Sequence, residues 1–175
     1  MEGYYLSNLT FHQATNKDIK ALLDLSLRGY ASIRELGINF AAATADEQLV
    51  EKNVNENICF YMKDGDEMVA TASIRMPWSS HHGPYEIPHI WWVAVAPEFK
   101  RKGYASKLLD FIENDYLRDT LHCPSVSLGT AKEHPWLADM YLKRGYEKVG
   151  ESDLGKGHVT IYLEKLLLAK TYKKR

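Results

Sequence analysis

Cysteine is scarce in this chain: Cys59 and Cys123 are the only two among 175 residues, and no CxxC spacing joins them. That argues against a disulfide framework or a cysteine zinc site and suits a reducing compartment. An excess of charge of one sign is missing too. Lys plus Arg total 22 against 23 Asp plus Glu, a formal net charge of -1, so no global field draws in DNA or RNA and no nucleic-acid partner is expected. No window approaches the roughly eighteen apolar residues of a membrane span. Met1 to Thr10 lacks a charged segment leading into an apolar one, so a cytoplasmic protein without a membrane partner is expected, with Lys173, Lys174 and Arg175 as a solvated tail. Internal repeats, low-complexity tracts and Ser/Gly-rich linkers are absent as well, which makes residues 1–175 one domain.

Apolar residues at 45% and charged residues at 26% are ordinary globular values, so a packed core is expected. Thr10 to Ala14 reads as a strand. Thr15 can cap the next segment, where Ile19, Leu22, Leu23, Leu27 and Tyr30 keep helical spacing. Thr44-Ala-Asp-Glu47 has the form of a capping box ahead of Leu49, Val50 and Val54. Ile58 to Met62 and Met68 to Met76, joined through Asp64-Gly65, read as a β-hairpin. Pro77 to Pro88 suits a loop, and Ile90 to Ala96 is the apolar run of a central strand. A helix carrying Ala105, Leu108, Leu109, Ile112 and Tyr116 follows, then a strand from Ser125 to Thr130. A further helix opens at His134-Pro135, with proline in its first position, and closes at Gly145. Val159, Ile161 and Leu163 alternate as a strand does. The order of elements predicts an α+β fold around a mixed sheet rather than a repeated βαβ unit.

The junction Val93-Ala-Val-Ala-Pro-Glu-Phe-Lys-Arg-Lys-Gly-Tyr-Ala-Ser106 is the most informative stretch. A strand feeds a basic turn and then the positive end of a helix, an arrangement that favours a diphosphate. Gly103 admits a close approach of main chain to phosphate. Neither GxxxxGK[S/T] nor GxGxxG can be read here, which argues against ATP and NAD. On the residues alone, a merely solvated helix start remains the competing reading.

These residues resemble the signature of the Gcn5-related N-acetyltransferase (GNAT) family, in which a V-x-V-x-P strand leads to [Q/R]-x-x-G-x-[G/A]. Lys100, Gly103 and Ala105 fill the turn positions, Lys100 replacing the usual Gln or Arg. Trp136 to Tyr146 is similar to the family's second motif, with Tyr141 four residues before Gly145. The resemblance spans about Thr10 to Leu163 and implies an α/β/α layered fold: a mostly antiparallel sheet of six or seven strands with about four helices. It implies an N-acetyltransferase that takes acetyl-CoA as co-substrate and passes the acetyl group to a primary amine by direct attack, with no metal. The amides of Arg101, Lys102, Gly103, Tyr104, Ala105 and Ser106 would hold the CoA pyrophosphate beside the Lys100 turn. Val93, Ala94 and Val95 would run beside the pantetheine arm, a main-chain N–H near Val95 serving the developing oxyanion. His134 stands where many members place a cofactor-binding Asn.

Tyr141 is then the expected hydrogen-bond donor to the departing sulfur. His89 is the first candidate for proton removal and Glu86 the second, acting through water. The acceptor is expected between the Gly29 to Thr44 loop and the Pro77 to Pro88 loop, where Tyr30, Phe40, Trp78, Tyr85, Trp91 and Trp92 favour an amine with an apolar portion. A polyanionic acceptor is not expected, and small-molecule and peptide amines stay open. The rival functions are a non-catalytic acyl-CoA sensor and nucleic-acid binding through Lys100, Arg101 and Lys102. Homodimerisation through the last strands is possible on this reading.

Overall fold

The computed structural model describes residues 8–134 and 136–168. Pro135, the first residues of the chain and the Lys173 to Arg175 tail lie outside the described residues. Seven strands form one sheet in the order β1-β2-β3-β4-β5-β7-β6. They are β1 (Leu9–Gln13), β2 (Ile58–Asp64), β3 (Glu67–Arg75), β4 (His89–Val95), β5 (Ser125–Ala131), β6 (Glu147–Asp153) and β7 (Val159–Leu166). Every neighbouring pair is antiparallel except β4 and β5. The α+β reading therefore holds, with seven strands and five α-helices.

On one face lie α1 (Ile19–Gly29), α2 (Ala31–Glu35) and α3 (Glu47–Glu56). Leu22, Ile33 and Val50 pack there against Cys59, Tyr61, Trp92 and Ala94 of the sheet. On the other face is α4 (Tyr104–Asp110), which runs on as a π-helical segment over Phe111–Thr120. Its Leu108, Leu109, Ile112 and Leu117 meet Phe60, Met62, Val69 and Ile74, while α5 (Leu137–Lys143) adds Tyr141. Each fully buried Leu or Ile contributes roughly 2 kcal/mol of transfer free energy, so both faces are held by apolar burial.

Several local signals resolve differently from their sequence reading. Thr15 does cap the segment, but what it caps is the 3₁₀ turn Asn16–Asp18 ahead of α1, where the Asp18 carboxylate accepts from the Thr15 N–H at 2.8 Å. The cap of α3 is Asp46, whose carboxylate accepts from the Leu49 N–H at 2.9 Å. Thr44 is instead spent in a 3₁₀ turn, Ala41–Thr44, so the anticipated loop between the first two helical stripes contains α2 and this turn. The hairpin turns at Gly65, in the left-handed region at φ 60°. Helix α5 begins at Leu137, two residues beyond Pro135.

Beneath α4 a charged group is fully enclosed. The Glu113 carboxylate accepts from Lys165 Nζ (2.6 Å), Tyr146 Oη (2.9 Å) and Arg144 Nη2 (3.1 Å). Arg144 also donates to the Ser106 carbonyl and hydroxyl at 3.3 and 3.0 Å. The end of α5, the first turn of α4 and β7 are thereby tied to one buried carboxylate.

Candidate active site

Strands β4 and β5 pair only at His89↔Ser127 and Ile90↔Leu128, then separate. Beyond Ile90, the main-chain groups of β4 that face β5 have no strand partner. On its other edge β4 carries an extra residue: its register with β3 slips between Thr71 and Ser73, and Trp92 adopts φ 59°. A bulky residue in that region costs on the order of 1–3 kcal/mol and persists only when its surroundings over-determine it. Here the indole is buried and donates to Ser26 Oγ at 2.7 Å. The splay opens a cavity of about 1110 Å³ walled by β4, β5, the start of α4, α5 and the segments flanking α2.

At one end is the basic turn. Arg101 at φ 67° and Gly103 at φ 74° both adopt left-handed conformations. No atom lies within 4 Å of where a Gly103 Cβ would stand, so this main chain faces open space. The first helical bond of α4 runs from Lys107 N to Gly103 O at 3.0 Å. The Tyr104, Ala105 and Ser106 N–H groups therefore precede the helical ladder and are available to a ligand. Lys100, Arg101, Gly103, Tyr104, Ala105 and Ser106 line the cavity together with Val93, Ala94 and Val95. Lys102 departs from this set: its Nζ lies 5.2 Å from the Phe99 ring centroid, off the lining. The Tyr104 hydroxyl is hydrogen-bonded to Asp64, which anchors α4 to the hairpin end. His134 lines the cavity, but its Nδ1 accepts from the Leu137 and Trp136 N–H groups at 3.1 and 3.4 Å and so caps α5. Burial and Lys100 lower its pKa, which keeps that acceptor unprotonated.

The middle of the cavity holds the titratable groups. Tyr141 projects from α5, and its phenol is pushed up to about 12, chiefly by burial with Glu113 adding, so it remains a neutral donor. Among the described residues its hydroxyl has no hydrogen-bond acceptor. Tyr30 lines the same space, its pKa raised by burial and by the proximity of Tyr141. His89 stands opposite Arg75 in the β3–β4 ladder and shares a hydrogen bond between Nδ1 and Ser127 Oγ at 2.8 Å. Burial and then Arg75 lower its pKa to about 4. Gly83 lets the preceding loop close over it, since a Cβ there would come within 2.5 Å of His89 Cβ. Glu86, the other candidate base, is exposed and does not line the cavity. His81 faces Glu56 on the surface at 3.6 Å.

The other end departs most from expectation. Trp78 is 78% exposed and Tyr85 packs edge-on to Tyr162, so neither lines the cavity, whereas Tyr30, Phe40, Trp91 and Trp92 do. Three residues the sequence reading passed over join them: Arg75, Lys156 and His158. The Arg75 guanidinium lies 3.5 Å from the Trp91 ring centroid, and burial lowers its pKa. It has no carboxylate partner among the described residues. The buried Arg75 Nε, Trp91 Nε1, Thr130 Oγ1 and His158 Nδ1 likewise lack protein partners there. Among the described residues four cations line the cavity (Arg75, Lys100, Arg101 and Lys156) and no Asp or Glu does. Lys100 and Arg101 belong to the turn at the co-substrate end, which leaves Arg75 and Lys156 at the other end, where a polyanionic acceptor is not expected from the sequence. An isolated Arg closing the apolar Met68 to Met76 run was the one available signal.

A family profile, Acetyltransferase (GNAT) family, matches residues 22–146. The chain is 52% identical over 157 residues to S-(2-succino)cysteine N-acetyltransferase of Bacillus subtilis (strain 168), covering 90% of this chain and 95% of that protein. It is 37% identical over 168 residues to S-alkylcysteine N-acetyltransferase of the same organism, covering 95% and 94%. Among solved structures, the ribosomal-protein-S18-alanine N-acetyltransferase from Escherichia coli matches with a TM-score of 0.70 at 14% identity, over 95% of this chain and 99% of that one, a likeness of fold. The chain belongs to the GNAT family. It is an enzyme that transfers acetyl from acetyl-CoA to an amine, which sets aside the non-catalytic sensor. The splayed strand, the open turn and its cations fit the family's co-substrate, with main chain for the pantetheine arm and free N–H groups for the pyrophosphate.

Proposed function

We propose that the enzyme acetylates the α-amine of S-substituted cysteines bearing an anionic substituent, with S-(2-succino)cysteine as the representative acceptor. The observation that carries this reading is the charge of the acceptor end: Arg75 and Lys156 on its wall, apart from the cations of the co-substrate turn, and no acid lining the cavity among the described residues. The relative at 52% identity supplies the chemistry that fits such a wall. A 2-succino group is a dicarboxylate, so this acceptor combines three carboxylates with one amine. The second relative's name supports the same backbone of substrate, a cysteine substituted at sulfur.

Acetyl-CoA supplies the activated acetyl group, and this chain's residues bind, orient and handle protons. A cationic wall disfavours a nearby ammonium and so lowers its pKa, presenting the amine in its nucleophilic neutral form. His89, held neutral above about pH 4 by burial, is a proton acceptor at the acceptor end rather than a second cation. The unpaired N–H groups of β4 near Val95 serve the charge that develops during transfer. With Tyr141 pushed up to about 12 and a thiol near 8.5, full proton transfer is uphill by roughly 5 kcal/mol. Tyr141 therefore donates a hydrogen bond to the departing sulfur and keeps its proton. The reaction belongs in the cytoplasm, where thiols and acetyl-CoA coexist.

The test is CoA release with S-(2-succino)cysteine, followed by mass spectrometry of the product. A mono-N-acetylated product formed with kcat/KM of about 10⁴ M⁻¹ s⁻¹ or more is expected. Release no faster than without an amine would overturn the reading.

A further inference from the structure

Resting on that proposed acceptor, we infer that Arg75 is the specificity-determining residue: its guanidinium grips a carboxylate of the sulfur substituent, not the α-carboxylate of the cysteine. Its placement carries the inference. Arg75 ends β3 opposite His89, its guanidinium carbon lies 3.5 Å over the Trp91 ring centroid, and Arg75 and Trp91 both line the cavity. A guanidinium held over an aromatic face loses little freedom when it binds and presents a planar fork suited to a carboxylate. Buried or half-buried guanidinium groups are ordinarily paired with an acid. Arg75 has no acid or other hydrogen-bond acceptor among the described residues, so its Nη donors remain available to a ligand.

Reach decides which carboxylate it meets. Trp91 lies two to four residues along β4 from the Val93–Val95 stretch where transfer is placed, which is roughly 7 to 13 Å at strand spacing. An α-carboxylate carbon sits only two bonds, about 2.5 Å, from the attacking nitrogen. The carboxylate carbons of a 2-succino group are five and six bonds away, about 6 to 7 Å when extended. A paired guanidinium and carboxylate add about 4 Å between their carbons, so with Arg75 over Trp91 the α-carboxylate falls short of the interval and the substituent falls within it.

The experiment compares kcat/KM for S-(2-succino)cysteine and S-methylcysteine in the wild type, Arg75→Met and Arg75→Lys, with CoA binding followed by calorimetry as the check on fold. The two amines share the α-carboxylate and differ in the distant ones. In Arg75→Met the succino-to-methyl ratio of kcat/KM should fall at least 30-fold, with CoA affinity kept, and Arg75→Lys should recover part of the loss. An equal fall for both amines would assign Arg75 to the α-carboxylate and overturn the inference, as would an unchanged ratio. A wild type that turns over neither amine overturns the acceptor proposal itself, and this inference with it. A wild type active on the succino compound with an unmoved ratio sinks the Arg75 role alone.

Discussion

At the β4–α4 junction the cavity is walled by main chain from one continuous stretch, Val93 to Ser106, whereas around Arg75 it is walled by side chains from β3, β4 and several connecting segments. The first end presents N–H groups that any acyl-CoA can use whatever its acyl group. The second presents a guanidinium on an indole, two aromatic rings, a lysine and imidazoles, a set that single substitutions can rewrite. On the proposed reading, constancy of the donor and variety of the acceptor are separated within one cavity, the former assigned to backbone and the latter to side chains. Tyr141 of α5 stands between the two, and His89 of β4, paired with Arg75, borders the second.

The sharpest way to break the donor end without touching the acceptor end is Glu113→Ala. It strips the shared acceptor from Lys165, Arg144 and Tyr146 beneath α4. A loss of about 3 kcal/mol or more in urea unfolding is expected, because partly buried cations are left uncompensated. A loss under about 1 kcal/mol would show that the network does not hold the cradle.

His89 sharpens the comparison from the acceptor side. Its folded pKa, about 4, lies below the unfolded value near 6.5, so the unfolded chain takes up the proton first as pH falls. Stability present above about pH 6.5 is therefore lost progressively toward pH 4, on the order of 2 kcal/mol by pH 5. In His89→Asn, which keeps a partner for Ser127, the difference in unfolding free energy between pH 7 and pH 5 should shrink by about that amount. An identical pH dependence would return His89 to an ordinary solvated imidazole.

Tyr141→Phe probes the boundary between the ends. Removing one neutral donor should lower kcat about tenfold or more, equivalent to about 1.4 kcal/mol, while the acetyl-CoA Kd stays within about twofold. An unaltered kcat would leave Tyr141 as a packing residue against Tyr146.

Much of the donor end was legible in the sequence because its parts are contiguous: an apolar strand, a proline stop, a basic glycine turn and a helical stripe specify one another locally. Tyr141 was legible for the same reason, from its spacing to Gly145. The acceptor end was not, since Arg75, Lys156 and His158 come together only when β3, β4 and the β6–β7 connection converge. Trp92 illustrates the limit most clearly. Nothing local asks a tryptophan for φ 59°; burial against α1 and the bond to Ser26 impose it, and the splay that shapes the site depends on that tertiary choice. Glu86 lies off the lining for the complementary reason: a residue three positions before β4 is placed by loop geometry that its sequence does not encode.

The most direct test of the account is a one-pot competition in which equal concentrations of S-(2-succino)cysteine and spermidine vie for limiting acetyl-CoA, with both N-acetyl products quantified by mass spectrometry. An acceptor end with Arg75 and Lys156 on its wall and no acid among the described residues predicts at least a hundredfold excess of the anionic product, about 2.7 kcal/mol of discrimination. Equal products, or a predominance of acetylspermidine, would contradict it.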